Sequence, residues 1–386
     1  MMNLKNRGIT FLSILSLSLA LPLIPVNAAA KAGAKCTKAG ITEVVKDKSY
    51  TCVKTGKKLL WNKGVVRKDS KPGANLPSQP SFVEDGAIPT SFENLYQNYL
   101  GIPLKIWNDA QLLVSTGNNL TNFEMIFGPN SQFPPSSISP VKYLEKASKL
   151  WSRYKQPNLT KTFVYGYSDL NWVQQKNREL PGTWHKPEDL AGNCRSPQNC
   201  GSFGGAFNGQ GQLFIGIPER SNSYSTIDFT FHNLAHEYTH TVQYSQLNAP
   251  ANVKLPCWFA EGQPQVIGHS LGFDSFADYK RSRMIWLDDP AGLLNDYSVE
   301  SILKFYSLTG GSTGGFCSQE VRSRVYDVGY FTVEALASIK GIESTMDLVV
   351  GIGNGMSFED SFKKIYGISW SEAAPILAKV VSATYK

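Results

Sequence analysis

Two histidines four residues apart, with a glutamate directly after the first, form the run His236-Glu237-Tyr238-Thr239-His240. On a helix, positions i and i+4 lie one turn above each other on the same face. Two imidazoles placed that way can share one metal ion, and the glutamate between them reaches a water on that ion. These residue types suit metal-assisted hydrolysis, with Glu237 as general base. The whole chain has only 5 histidines, so composition alone scarcely explains the pattern. A zinc ion that keeps an open position for water needs a third protein ligand. A longer motif, H-E-x-x-H-x-x-G-x-x-H, would supply a third histidine, but Gln243 and Gln246 stand at its last two fixed positions. His269 and Glu261 remain as candidates. His232, one turn before His236, would close the open position and reads as a supporting histidine instead.

The His236-Glu237-x-x-His240 run is followed by Trp258-Phe259-Ala260-Glu261-Gly262. Together they resemble the gluzincin metallopeptidases, the group of thermolysin-like and aminopeptidase-N-like enzymes. By motif order the resemblance covers about 140–386, through Val325-Tyr326-Asp327-Val328-Gly329-Tyr330-Phe331, Gly341, 357–362 and Tyr366-Gly367. It implies Zn2+ held by His236, His240 and Glu261, with Glu237 catalytic and a protein or peptide substrate. It also implies a neutral donor to the oxyanion at Tyr326 or Tyr330, and a substrate-holding edge strand at 212–217. Two departures stand out. Where thermolysin-like members carry a carboxylate that supports a zinc histidine, this chain has Gln265, so that support must differ. Gly205-Ala206-Phe207-Asn208 stands where aminopeptidases hold a substrate amino terminus, but lacks their acidic residue, so the resemblance implies an endopeptidase. The competing reading is a catalytically silent binding protein that keeps the fold as a scaffold. Retention of Glu237 beside all three ligands argues against it.

The elements that must position these groups are legible in outline. The histidines need a helix over 228–245. Residues 212–217 and 161–167 read as strands, and 141–154 and 172–177 as helices. Residues 181–211, rich in Gly, Pro, Asn and Ser, read as a long surface segment. Helices are expected at 258–270, 275–287, 298–306, 324–340, 343–351, 357–365 and 370–384. Gly310 to Gly315 reads as a flexible loop that could close over the cleft as a flap. The expected class is α+β: a zincin-like domain with a twisted sheet and edge strand, the H-E-x-x-H helix and a helical C-terminal half.

Ahead of that domain, 91–386, the chain changes character. Residues 1–28 read as a secretory signal peptide: Lys5 and Arg7, an apolar run, then Val26-Asn27-Ala28. Residues 31–66 read as a small β module with strands at 41–45, 49–53 and 58–61, and 67–90 as a Pro-rich linker. The module resembles lysine-rich modules at the start of bacterial exported proteins. An even 6 cysteines in an exported chain argue for disulfides, and sequence proximity favours Cys36–Cys52 and Cys194–Cys200, leaving Cys257–Cys317. The net charge is +7, yet 29–72 alone hold twelve Lys and Arg against Glu43, Asp47 and Asp69. The basic charge therefore belongs to the module, where it suits an anionic cell-envelope polymer. Neither a nucleic-acid partner nor a transmembrane anchor is expected, and the location is extracellular, with attachment to the envelope.

Overall fold

The computed structural model describes residues 31–37, 39, 42–45, 48–63, 65–66, 86–133, 139–219, 224–287, 296–315, 317–318 and 320–385. The expected signal peptide and most of the expected linker lie outside them. The chain divides into two units, Met1–Pro80 and Ser81–Lys386. No helix among the described residues is long and apolar enough to cross a membrane.

In the first unit, short β-forming runs pair around tight turns. Thr42–Val45, Lys48–Thr55 and Lys58–Trp61 make an antiparallel meander, and Gly56, at φ 60°, supplies the left-handed turn position. A short fourth strand, Val65–Val66, pairs with Lys48–Thr55 and was not foreseen. The apolar centre is little more than Cys52 and Trp61, flanked by Ala34, Cys36, Val45, Tyr50 and Leu59. So small a core needs a staple, and the Cys36–Cys52 disulfide provides it.

The second unit is mixed α and β. Its sheet runs in the order Asn122–Phe127, Leu159–Tyr165, Gln210–Gly216, Phe203–Phe207. The first two junctions are parallel and the last is antiparallel. This corrects the expected edge strand. Gln210–Gly216 is internal; the edges are Asn122–Phe127 and Phe203–Phe207, the latter inside the expected surface segment 181–211. The glycines of Phe203–Phe207 explain both its weak strand signal and its geometry. A Cβ on Gly204 would stand 2.0 Å from the Glu237 carbonyl oxygen, so only glycine lets the strand lie directly on the helix that carries Glu237.

That helix spans Tyr224–Leu247. Between Phe231 and Tyr244 it has no exposed residue: Phe231, Leu234, Tyr238 and Val242 are buried, and so are His232, Glu237, Thr239 and Gln243. Buried along that stretch, it is a central helix, and each interior polar group needs a partner. Tyr238 and Thr239 find theirs in Gln156 and the Trp151 indole, at 2.7 and 3.2 Å. Against it packs the helix Cys257–Gly272, which carries Glu261. Trp258, in the first turn of this second helix, stacks on Trp370 of the C-terminal helix with ring centres 4.7 Å apart.

The helices Phe276–Leu287, Val299–Leu308, Ile342–Gly353, Phe358–Tyr366 and Trp370–Thr384 match the sequence reading closely. The expected helix 324–340 is instead a 3-10 turn, Arg322–Val325, followed by a helix Val328–Lys340. Asp327 breaks it. Its buried carboxylate pairs with Arg324 and caps Val328 N–H at 2.6 Å. All three expected disulfides are present, Cys257–Cys317 with its Cα atoms 5.5 Å apart. The glycine stretch is no free flap. The Trp258 indole donates to the Gly311 carbonyl at 2.9 Å, and Gly315 N–H to that of Asn252 at 3.1 Å.

Candidate metal centre

Helical spacing and helix packing bring three side chains to one point. His236 Nε2 lies 3.5 Å from Glu261 Oε2, and His240 Nε2 lies 3.3 Å from the same oxygen. One ligand atom from each of the three residues falls within 4.8 Å of the others. Two ligands each about 2.0–2.1 Å from an ion, at tetrahedral angles, stand about 3.3 Å apart. The group therefore has the spacing of a three-ligand metal site. His269 is not part of it: its Nδ1 sits 3.0 Å from Ser282 Oγ and its ring stacks on Tyr330. His232 stands between the two groups, with ring centres 5.7 Å from His236 and 4.3 Å from His269.

Charge at the site is strongly organised. Burial raises the Glu237 carboxyl, Glu261 adds to the rise, and His236 and His240 hold it back. For Glu261 burial acts in the same sense, but the imidazoles of His240 and His236 outweigh it and the carboxyl is held below its usual range. Burial disfavours the charged His240 ring, yet Glu261, with Glu237 and Gln243 behind it, raises its pKa to about 9. Three such side chains, with the buried Glu237 carboxyl close enough to feel their charges, can hold a metal ion.

The two candidate tyrosines part company at the helix break. Tyr326, at the end of the 3-10 turn, has its ring centre 6.3 Å from that of His236. The charge of Glu261, then burial, then Glu237 raise its hydroxyl pKa well above the ordinary value, so the phenol stays a neutral donor. Tyr330, one turn into the next helix, is fully buried, and its hydroxyl faces Glu334 at 3.4 Å. Glu334 also takes both Arg283, at 2.7 Å, and the Tyr279 hydroxyl. Tyr330 thus belongs to a buried network, and only Tyr326 stands beside the ligands.

Three neighbours of the site were not foreseen. Tyr244 follows His240 by one turn; burial and the charges of Glu261 and Glu237 raise its hydroxyl pKa. The 236, 240, 244 spacing could have flagged it. Trp184 and His185 lie in the expected surface segment 181–211. The Trp184 indole donates to the Ala206 carbonyl of the edge strand at 2.7 Å. Burial lowers the His185 pKa, the nearby Gly204 backbone and Asp189 oppose this, and His240 adds to the lowering. No sequence signal marks either residue. Set against family models, curated proteins and solved structures, the chain matches none.

Proposed function

We propose that the second unit is a zincin-like, zinc-dependent peptidase of gluzincin type, an endopeptidase acting on protein or peptide substrates. The observation that carries this reading is the convergence of His236, His240 and Glu261 at 3.3 and 3.5 Å, beside a buried Glu237. Two neutral-capable imidazoles and one carboxylate suit zinc, and this donor set leaves one position open. Bound zinc supplies Lewis acidity that lowers the pKa of water towards about 7. Glu237 takes the proton of the attacking water and passes it to the leaving amine, a task favoured by its raised pKa. Tyr326 donates a hydrogen bond to the carbonyl oxygen as negative charge builds there. The three disulfides fit an oxidising, extracytoplasmic setting, and the lysine-rich first unit fits attachment to an anionic cell-envelope polymer.

The test pairs metal analysis with cleavage of a mixed peptide library. Wild-type protein should carry about one zinc per chain, lose cleavage on chelation and regain it with zinc. Glu237→Gln should keep the zinc and lose about 100- to 10,000-fold in rate, because the amide cannot take a proton. Zinc binding without any cleavage, in wild type and variant alike, would point to the silent binding scaffold instead.

A further inference from the structure

A metal-binding histidine is oriented by what its second ring nitrogen meets. Gln265 stands where the resembled enzymes carry a supporting carboxylate, and its Nε2 donates to the Tyr326 carbonyl at 3.1 Å. Support for His240 comes from another direction. His240 Nδ1 lies 2.8 Å from Gln243 Oε1. Gln243 Nε2 donates to Gln263 Oε1 at 2.8 Å and to the Ala260 carbonyl at 3.1 Å. Gln263 Nε2 donates to Thr345 Oγ1 at 2.8 Å, and the Thr345 hydroxyl donates to the Ile342 carbonyl at 2.7 Å. Gln243, Gln263 and Thr345 are all buried.

The direction of every bond in this chain follows from its ends, because a main-chain carbonyl only accepts. Ile342 takes the Thr345 proton, so the Thr345 oxygen accepts from the Gln263 amide nitrogen. The Gln263 oxygen then faces Gln243 and takes a proton from its nitrogen. The Ala260 carbonyl demands the same nitrogen independently. Gln243 therefore turns its oxygen to His240, and His240 Nδ1 must carry a proton. Nε2, 3.3 Å from Glu261, is then the nitrogen that offers a lone pair to a metal ion once its own proton is displaced. The Ala260 carbonyl is free to do this because Pro264, four residues on in the same helix, has no N–H to give it. A gap in one helix's hydrogen-bond ladder thus fastens the glutamine that orients a histidine on the other. The gap falls at the residue just before Glu261, so the same contact ties the two ligand-bearing helices together.

We infer that Gln243, Gln263 and Thr345 are positioning residues: a neutral amide relay that holds His240 in its Nδ1–H tautomer and presents Nε2 to the metal ion. The inference rests on the metal-site reading above. A neutral partner adds no negative charge behind the ring, so a bound ion keeps more of its Lewis acidity than it would behind a carboxylate.

Cobalt(II) is the probe, added to the metal-free full chain. Visible absorbance gives its affinity, and proton NMR of the loaded protein shows ring N–H protons of the ligating histidines as shifted, water-exchangeable signals. Wild type should show a slowly exchanging His240 N–H. Gln243→Ala should bind cobalt about 10- to 100-fold more weakly and lose that signal to exchange, with circular dichroism unchanged. Thr345→Val, which touches no ligand, should speed exchange of the same proton and weaken binding by a smaller factor. A folded Gln243→Ala protein that binds within twofold of wild type and keeps the slow signal overturns the relay. Should Gln243→Ala fail to fold, an unaltered exchange rate in Thr345→Val overturns it. A wild-type chain that takes up no cobalt overturns the metal site itself, a result distinguishable from either variant outcome.

Discussion

Glu237 and Glu261 approach the same two histidines and are pushed in opposite directions. Carboxyls driven apart in this way fit the proposed reading, in which Glu237 takes a proton and Glu261 stays ionised. His240 answers to Glu261. Its pKa of about 9 lies above the ordinary 6.5, so in the metal-free protein the stabilisation from its charge is whole below about 6.5 and is lost as pH rises through about 9. Glu261, lowered from an ordinary 4.5, contributes above that value and loses its contribution as pH falls further. A metal ion must displace the His240 proton. Apparent affinity should therefore tighten by about tenfold per pH unit from pH 7 towards 9 and then level off. Competition with a chelator at several pH values measures this, and a flat profile between pH 7 and 8 would show that His240 is already neutral. At this scale the sequence was informative. His236, Glu237 and His240 announce themselves by helical spacing, and Glu261 by the motif around it. Tyr330 was not separable from Tyr326, because nothing in the run Tyr326-Asp327-Val328-Gly329-Tyr330 says that a buried Asp327–Arg324 pair will break the helix between them. Gln243 was read only as the wrong residue for a longer zinc motif.

Among the elements, most helices of the C-terminal half and the strands near 161–167 and 212–217 were legible, whereas the helix Ile102–Thr116 and the strands Asn122–Phe127 and Phe203–Phe207 were not. The helices carry serine caps and glycine stops, such as Ser357 and Gly367 around Phe358–Tyr366. The edge strand Phe203–Phe207 is small because it must lie on the histidine helix, and smallness erased its β signature. Its outward side is also taken. Residues 204 and 206 share that side. The Ala206 carbonyl there is taken by the Trp184 indole. A peptide that adds a strand to this edge needs that same carbonyl. Trp184 is 43% exposed, so removing it disturbs little core. Trp184→Ala should free one edge carbonyl and lower KM for peptide substrates about fivefold, the equivalent of about 1 kcal/mol for one hydrogen bond. Steady-state kinetics on an extended peptide decide it. A raised KM would mean that the indole grips substrate instead of standing in its way.

At the scale of the whole molecule, charge and chemistry sit in different units. Lys31, Lys35, Lys48, Lys54, Lys57, Lys58 and Lys63 of the first unit are all exposed, around a core of two buried side chains. None of these lysines lies in the metal centre, whose ligands all belong to Ser81–Lys386. Seven exposed cations on so small a body create a local positive field that attracts anionic polymers with little regard to their sequence. Such binding is screened by salt, since the screening length falls from about 10 Å at 0.1 M to about 3 Å at 1 M. A variant lacking 31–70 should therefore cleave soluble peptides at the wild-type rate. It should also lose the retention on a polyanionic matrix that wild type shows at 0.1 M salt and gives up at 1 M. The second unit keeps its own large core and two of the three disulfides, so the deletion leaves its folding intact. If the shortened protein is retained as well as the intact one, attachment does not run through the lysines. If it is released but also loses cleavage, the first unit takes part in catalysis, and the division of labour between the two units fails.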